Sequence, residues 1–217
     1  GGFVMSFSSE LDRGEQQRRL DRLGGELDRG AARIDRLMRR ALSQRVFPGA
    51  ALLVTREGHT CFERAYGHSD LFQRQSVSKE TYFDLASLTK PLATALAVLD
   101  LVDGGTLSLE SKIEELLPLA PDAAVGNIAL SQLLNHTSGL AAWRPYFKRL
   151  KKRPAERRGA CLWALLCAET LEAPPGSRFC YSDLGYLILG EVVATVSGGD
   201  LDRYLKERLL APLGITG

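Results

Sequence analysis

The sequence has little of what binds metals or cross-links chains: three histidines and four cysteines. No histidine has an acidic or cysteine neighbour at ligand spacing. Cys61, Cys161, Cys167 and Cys180 form neither a C-x-x-C pair nor a zinc spacing. The expectation is no metal and no cofactor, with buried free thiols of the kind a reducing compartment permits. Long apolar runs are missing too. None approaches the roughly 18 residues of a membrane span, so no span is expected. The N-terminal "GGFVMSFSSELDRGEQQ" lacks an apolar core of signal-peptide length, and Met5 reads as the native start behind a short remnant. With the free thiols this points to the cytoplasm; the alternative is a periplasmic or extracellular protein whose leader has been removed. Also absent is the G-x-S-x-G elbow of an α/β-hydrolase: "GHSDL" places Leu71 where the second glycine should stand.

What is present is ordinary globular material. The chain has 217 residues, 45% hydrophobic and 25% charged, with a formal net charge of +2. That suffices for one domain or two lobes. The dense basic run "FKRLKKRPAERR", Phe147 to Arg158, lacks interleaved aromatics and a recognised nucleic-acid fold. A solvated loop is expected there, and no nucleic-acid partner.

Residues 10–46 read as helix of mixed charge, with Leu20, Leu27 and Ile34 recurring every seven, joined by Leu23 and Leu37. Gly24, Gly25 and Gly30 interrupt it, which argues against a long coiled coil. Pro48-Gly49 opens a hairpin: "AALLV", a turn around Glu57-Gly58, then "CFERAYG". The run Ala50 to Val54 is apolar at every position, which predicts a strand covered on both faces. A helix is expected from about Ser87 to Val102, stopped by "DGG". Shorter helices follow at "LESKIEELLP", "ALSQLLNH", "ACLWALLCAETL", "YLILGEVVATVSG" and "LDRYLKERLLAPLG". A two-stranded hairpin is marginal alone. Further strands are therefore expected to complete the sheet.

Chemistry concentrates in "FDLASLTKPLAT", Phe83 to Thr94. Pro91 lacks an N–H and is tolerated near a helix start, which places Ser87 at or beside the N-terminus. Residues three apart share a helix face, so Lys90 can reach the Ser87 hydroxyl. The positive field of a helix N-terminus, together with burial, is expected to lower the Lys90 pKa. A lysine that spends time neutral can take a proton from serine and make it a nucleophile. A second stretch, "GSRFCYSDLGYLILGEVV", sets Tyr181, Ser182 and Asp183 just before another apolar helix.

"SLTKPLAT", "LLNHTSGL", "YSDLGYLILGEVV" and "LLAPLGI" together resemble, in order and spacing, the serine β-lactamase and penicillin-binding-protein superfamily over about residues 30–217. The nearest flavour is the class C branch, which also holds D-stereospecific peptidases and family VIII carboxylesterases. The resemblance implies an α/β (α+β) fold of the β-lactamase/transpeptidase type, a sheet flanked by helices plus an all-helical lobe. It divides the chain into a helical extension (1–29), the first part of the α/β domain with hairpin and Ser87 helix (30–110), a helical domain carrying Tyr181 (111–197) and a return segment (198–217). It makes Ser87 the acylated nucleophile, Lys90 its proton acceptor or electrostatic helper and Tyr181 a second base, a phenolate held beside Lys90. The oxyanion hole would use the Ser87 backbone N–H and a donor from a late strand. The substrate would be a small-molecule ester, amide or β-lactam, with no cofactor. A catalytically silent scaffold or binding protein is the alternative from another class.

Two departures stand out. Asp183 occupies a position where family members commonly have asparagine. A carboxylate only accepts hydrogen bonds and favours a charged Lys90, which shifts base duty toward Tyr181. It also removes a donor to a substrate amide, favouring ester hydrolysis or slow peptidase-like activity over efficient β-lactam hydrolysis. The family's third motif, a Lys/His-Thr/Ser-Gly triplet on a sheet-edge strand, is absent. The expectation is an N-terminal piece of a larger serine hydrolase, whose remaining strands would complete the sheet. His136 in "HTSGL" reads as structural. Trp143, Tyr146 and Phe147 follow that turn as candidates for an acyl pocket beside Ser87, or for packing of the helical lobe.

Overall fold

The computed structural model describes residues 29–120 and 122–215. Its contacts divide into two compact units, with the boundary between Asp84 and Leu85. The Ser87 helix therefore groups with the helices that follow.

In the first unit the chain is helical over residues 29–43 (α1) and then forms strands β1 (Gly49–Arg56), β2 (His59–Asp70) and the short β3 (Gln75–Ser76), in sheet order β1-β2-β3. Gly30 lies inside α1 and does not break it; Gly24, Gly25 and the rest of the stretch before residue 29 fall outside the described residues. Ala31, Ile34, Asp35, Met38 and Leu42 make the inner stripe of α1 at helical spacing, whereas Leu37, expected with the apolar set, is 65% exposed.

Strands β1 and β2 pair antiparallel through a two-residue turn, Glu57-Gly58, with both residues at positive φ (51° and 77°). That is the turn whose twist suits a hairpin. Register places Ala50 opposite Tyr66 and Val54 opposite Phe62, with Gly49 opposite Gly67. Both of those glycines are needed. A side chain at Gly67 would run into the Pro48 carbonyl, and one at Gly49 into Val77 and the His68 backbone. Cover is one-sided among the described residues: Phe62 and Tyr66 are buried, but Leu53 on the other face of the hairpin is 58% exposed.

Asp35 ties α1 to β2. It accepts from Arg39 Nε (2.8 Å), Arg64 Nη1 (2.6 Å) and the Tyr66 hydroxyl (3.1 Å). Hydrogen bonds from Arg39 and Arg64 hold its carboxyl down at about 2, against a smaller opposing effect of burial. A carboxyl whose pKa is depressed in the fold stabilises above its ordinary value and loses that contribution as pH falls through the folded value. Asp35→Asn is thus expected to lower the melting temperature at neutral pH. The gap from the parent protein should close as the pH falls from 3.8 through about 2, as followed by circular dichroism.

The second unit is helical. Helix α2 opens with a 3₁₀ turn (Ala86–Leu88), widens to a π turn (Lys90–Ala95) and continues as regular helix Leu96–Asp103. Pro91 accounts for the widening, because it has no N–H for the normal ladder and its ring crowds the preceding turn. Gly105 at φ 71° ends the helix, as the "DGG" signal predicts. There follow α3 (Ile113–Leu116), α4 (Leu130–Leu134), α5 (Phe147–Leu150), α6 (Arg158–Cys167), α7 (Asp183–Ser197) and α8 (Leu201–Tyr204), which runs on through a π turn to Leu210. The basic run is partly helical where a loop was expected, and residues 151–160 are all exposed.

α7 is the centre of this unit. Leu184, Ile188, Leu189, Val192 and Val193 are buried on it, against Ala97, Val98 and Leu101 of α2, Ile113 of α3, Leu130 and Leu133 of α4, and Leu166 of α6. Each such side chain contributes roughly 1.5–3 kcal/mol by leaving water. No single described helix is long and apolar enough to cross a membrane. The four cysteines are free thiols but half-buried rather than buried.

Candidate active site

Ser87 sits in the first turn of α2, directly after Ala86, whose φ of 45° is left-handed. Alanine pays roughly 1–2 kcal/mol to hold that conformation. Lys90 is the first residue of the π turn, one turn on. Its Nζ lies 3.5 Å from Ser87 Oγ and donates at 2.6 Å to Asp183 Oδ1, 93 residues further along the chain. The Lys90 side chain is only 14% exposed, whereas that of Asp183 is 41% exposed, so the pair is shielded on the lysine side alone. Tyr181 belongs to the same cluster, its phenol lowered in pKa by Ser87 and then Lys90. The ammonium also lies 5.0 Å from the Tyr181 ring centre and 5.8 Å from that of Tyr186. Hydroxyl, amine, phenol and carboxylate therefore converge within one cluster.

Tyr181 and Asp183 are placed by two pieces of chain that brace each other. Ser182 caps α7, its Oγ accepting from the Gly185 N–H and donating to the Ala141 carbonyl at 2.7 Å. The Asp183 N–H donates to the Ala142 carbonyl (2.9 Å), and the Cys180 N–H to that of His136 (2.8 Å). The Ser182 N–H donates to His136 Nδ1 at 3.1 Å, which puts the His136 ring proton on Nε2. Gly139, at φ 78°, packs so tightly on Ala173 that a side chain there would strike its carbonyl oxygen. The "HTSGL" turn thus supports the segment that carries Tyr181.

His136 repays closer inspection. It ends α4 in the left-handed conformation (φ 62°), the place where helices usually put glycine. Its ring rests 4.5 Å from that of Tyr181 and 5.1 Å from Tyr186. Burial, and then the Lys90 charge, push its pKa below the ordinary histidine value, with Asp183 partly opposing. The neutral ring is the form that can accept the Ser182 N–H.

The electrostatics reverse one sequence expectation. Burial pulls the Lys90 ammonium down, but its interactions with Asp183, to which it donates, and with Tyr181 outweigh it and the net shift is upward. Lys90 is a fixed cation, not a neutral base. Tyr181 moves the other way: hydrogen bonds from Ser87, then Lys90, lower its pKa, while Asp183 opposes. The helix-terminus argument failed because it left out a carboxylate far away in sequence. Tyr186 was missed as well. It lies one turn beyond Asp183 on α7, and its hydroxyl donates to the Leu134 carbonyl at 3.1 Å.

Trp143 opens onto a cavity of about 650 Å³ whose wall includes Ser87, Lys90 and Asp183. Among the described residues no group of three or more His, Cys, Asp or Glu side chains is placed to hold a metal ion.

The elements above define a β-lactamase/transpeptidase-like fold of the serine hydrolases. Residues 34–217 match the Beta-lactamase family, and the chain belongs to it. It is 34% identical over 198 residues to esterase EstB of Burkholderia gladioli, covering 85% of this chain and 50% of that one. It is 31% identical over 196 residues to an N-acetylmuramyl-L-alanine amidase of Bacillus subtilis (strain 168), covering 83% and 44%. A crystal structure of SurE with D-Leu superimposes with a TM-score of 0.71 at 34% identity, over 88% of this chain and 41% of that chain. The chain spans half or less of the length of these relatives.

Asparagine tolerates the left-handed backbone but does not reproduce the imidazole acceptor. His136→Asn is therefore expected to fold, and to lower kcat about tenfold as Tyr181 loses its brace, a loss of about 1.4 kcal/mol. Melting curves alongside turnover of p-nitrophenyl acetate check both halves.

Proposed function

We propose that Ser87 is the nucleophile of a serine hydrolase that works through an acyl-enzyme, with Tyr181 as general base and Lys90 as the cation that makes Tyr181 acidic. The observation that carries this reading is the Lys90 ammonium set 3.5 Å from Ser87 Oγ and 5.0 Å from the Tyr181 ring centre. A phenol needs a neighbouring cation to ionise near neutral pH, and Lys90 is held charged by Asp183. In the first half-reaction the Ser87 oxygen bonds to the substrate carbonyl carbon and its proton passes to the Tyr181 oxygen. The bond to the leaving oxygen or nitrogen then breaks, and Tyr181 returns the proton to it. Water repeats the sequence on the acyl-enzyme and frees Ser87. The Ser87 backbone N–H is one proposed oxyanion donor; the other, and the Lys/His-Thr/Ser-Gly motif, would come from further chain.

Ester and amide substrates are both supported by the relatives, one an esterase, one an amidase and one solved with D-Leu. Asp183 favours esters here. It offers no donor to a substrate amide, and its charge is spent on Lys90.

The test is labelling by a fluorophosphonate together with turnover of p-nitrophenyl acetate and nitrocefin. Ser87→Ala is expected to abolish label and turnover, and an unlabelled, inert full-length protein would leave the silent scaffold as the correct reading. The pH profile of kcat/KM is expected to rise as Tyr181 ionises, below its ordinary 10.0, and to fall as Lys90 deprotonates above 10.5. Asp183→Asn removes support from Lys90 and repulsion from Tyr181, so both limbs should move to lower pH. The same variant should raise the rate on nitrocefin relative to p-nitrophenyl acetate.

A further inference from the structure

Resting on the reading of Ser87 as nucleophile, we propose that the cavity beside it binds the acyl part of the substrate, and that this part is an apolar group of four or more carbons. The volume, about 650 Å³, falls within the roughly 300–1,000 Å³ of small-molecule sites. It lies wholly within the helical unit, walled by α5, α6, α7 and the start of α8. Phe147, Leu150, Leu162, Leu187 and Leu201 are among the residues that line it.

Charge inside the cavity is already committed. Lys90 and Asp183 pair with each other at its mouth. Arg144 is clamped by Glu169 (3.2 Å) and Glu172 (3.3 Å), and the Tyr146 hydroxyl donates to Glu169. A charged acyl group would lose water here and find the opposite charges already paired. Two aromatics mark the way in: Trp143 and Phe147, 55% and 46% exposed, lie with ring centres 6.3 Å apart. Large apolar side chains left half in water beside a nucleophile are the signature of a surface that meets an apolar ligand.

The cavity is assigned to the acyl side by which group is missing from its wall. Ser87, Lys90 and Asp183 line it; Tyr181 does not. Tyr181 is the group that returns a proton to the leaving atom, so the leaving group departs toward Tyr181 and the acyl chain points away from it, into the cavity.

Gly190 gives a means of testing this. It lies on the α7 wall, and a side chain begun there would meet nothing closer than Leu201 Cδ2 at 3.9 Å. Filling the site from that position narrows the cavity without a clash at the first carbon, and replacing a helical glycine favours the helix.

The experiment measures kcat/KM for p-nitrophenyl acetate, butyrate, hexanoate and octanoate, and for an alkyl acetate series of matching lengths. The proteins are the parent, Ser87→Ala, Gly190→Leu and the milder Gly190→Ala, with melting curves for each. Burial of one methylene is worth about a fourfold gain. The parent protein is expected to prefer hexanoate to acetate at least tenfold. The preference should fall at least fivefold in Gly190→Leu and by a smaller step in Gly190→Ala, with only weak dependence on alkyl length in the acetate series. If the Ser87-dependent rate is flat or falls from acetate to octanoate, the acyl pocket is wrong. A rise confined to the alkyl acetates would reassign the cavity to the leaving group and equally overturn it. The assays use the full-length protein; if it turns over no ester and Ser87 takes no label, the proposed function itself fails.

Discussion

The ion pair between Lys90 and Asp183 joins the first turns of two helices that are 93 residues apart in sequence. Everything chemical in the helical unit depends on it. It brings the start of α7 to the start of α2, so that the residue two before Asp183 faces the residue three before Lys90. It also settles protonation, since a lysine bonded to a carboxylate remains charged and a phenol beside that charge becomes a better acid. Geometry and acid–base character therefore come from one contact.

That contact works because both of its ends are held. On one side, Pro91 stretches the helix ladder and sets Lys90 at the opening of a π turn. On the other, the "HTSGL" turn and the Cys180–Asp183 segment exchange hydrogen bonds through backbone and the His136 ring. His136 keeps a left-handed backbone where glycine would sit more easily. The strain is understandable if the ring is needed where that backbone puts it. The motif most readily dismissed as a helix end is thus a support for the candidate base.

A good deal of this was legible in the residues. Pro91 and "DGG" bracketed α2 nearly to the residue, and apolar periodicity found α4, α6 and α7. The spacing of Ser87 and Lys90 is a local, one-turn relation, which is why sequence could read it. Their meeting with Tyr181 was reached only through resemblance, because no local rule reports a contact across ninety residues. The Lys90 pKa shift was read in the wrong direction for the same reason. The helix field and burial are visible locally, whereas the Asp183 carboxylate is supplied by tertiary structure. Strand cover is a different case: "AALLV" looks alike whether both faces are buried or one is, and among the described residues Leu53 is largely in water.

The hairpin has a consequence for how the protein behaves in bulk. β1 is the outer strand of the order β1-β2-β3, eight residues long and apolar through its middle. Among the described residues no strand bonds to its far side. An apolar margin of this length, interrupted only by a register shift between Val54 and Thr55, is a template for another extended chain. It carries no lysine or proline within its span to discourage this. Gly49–Arg56 is thus where a further extended chain can add to this sheet.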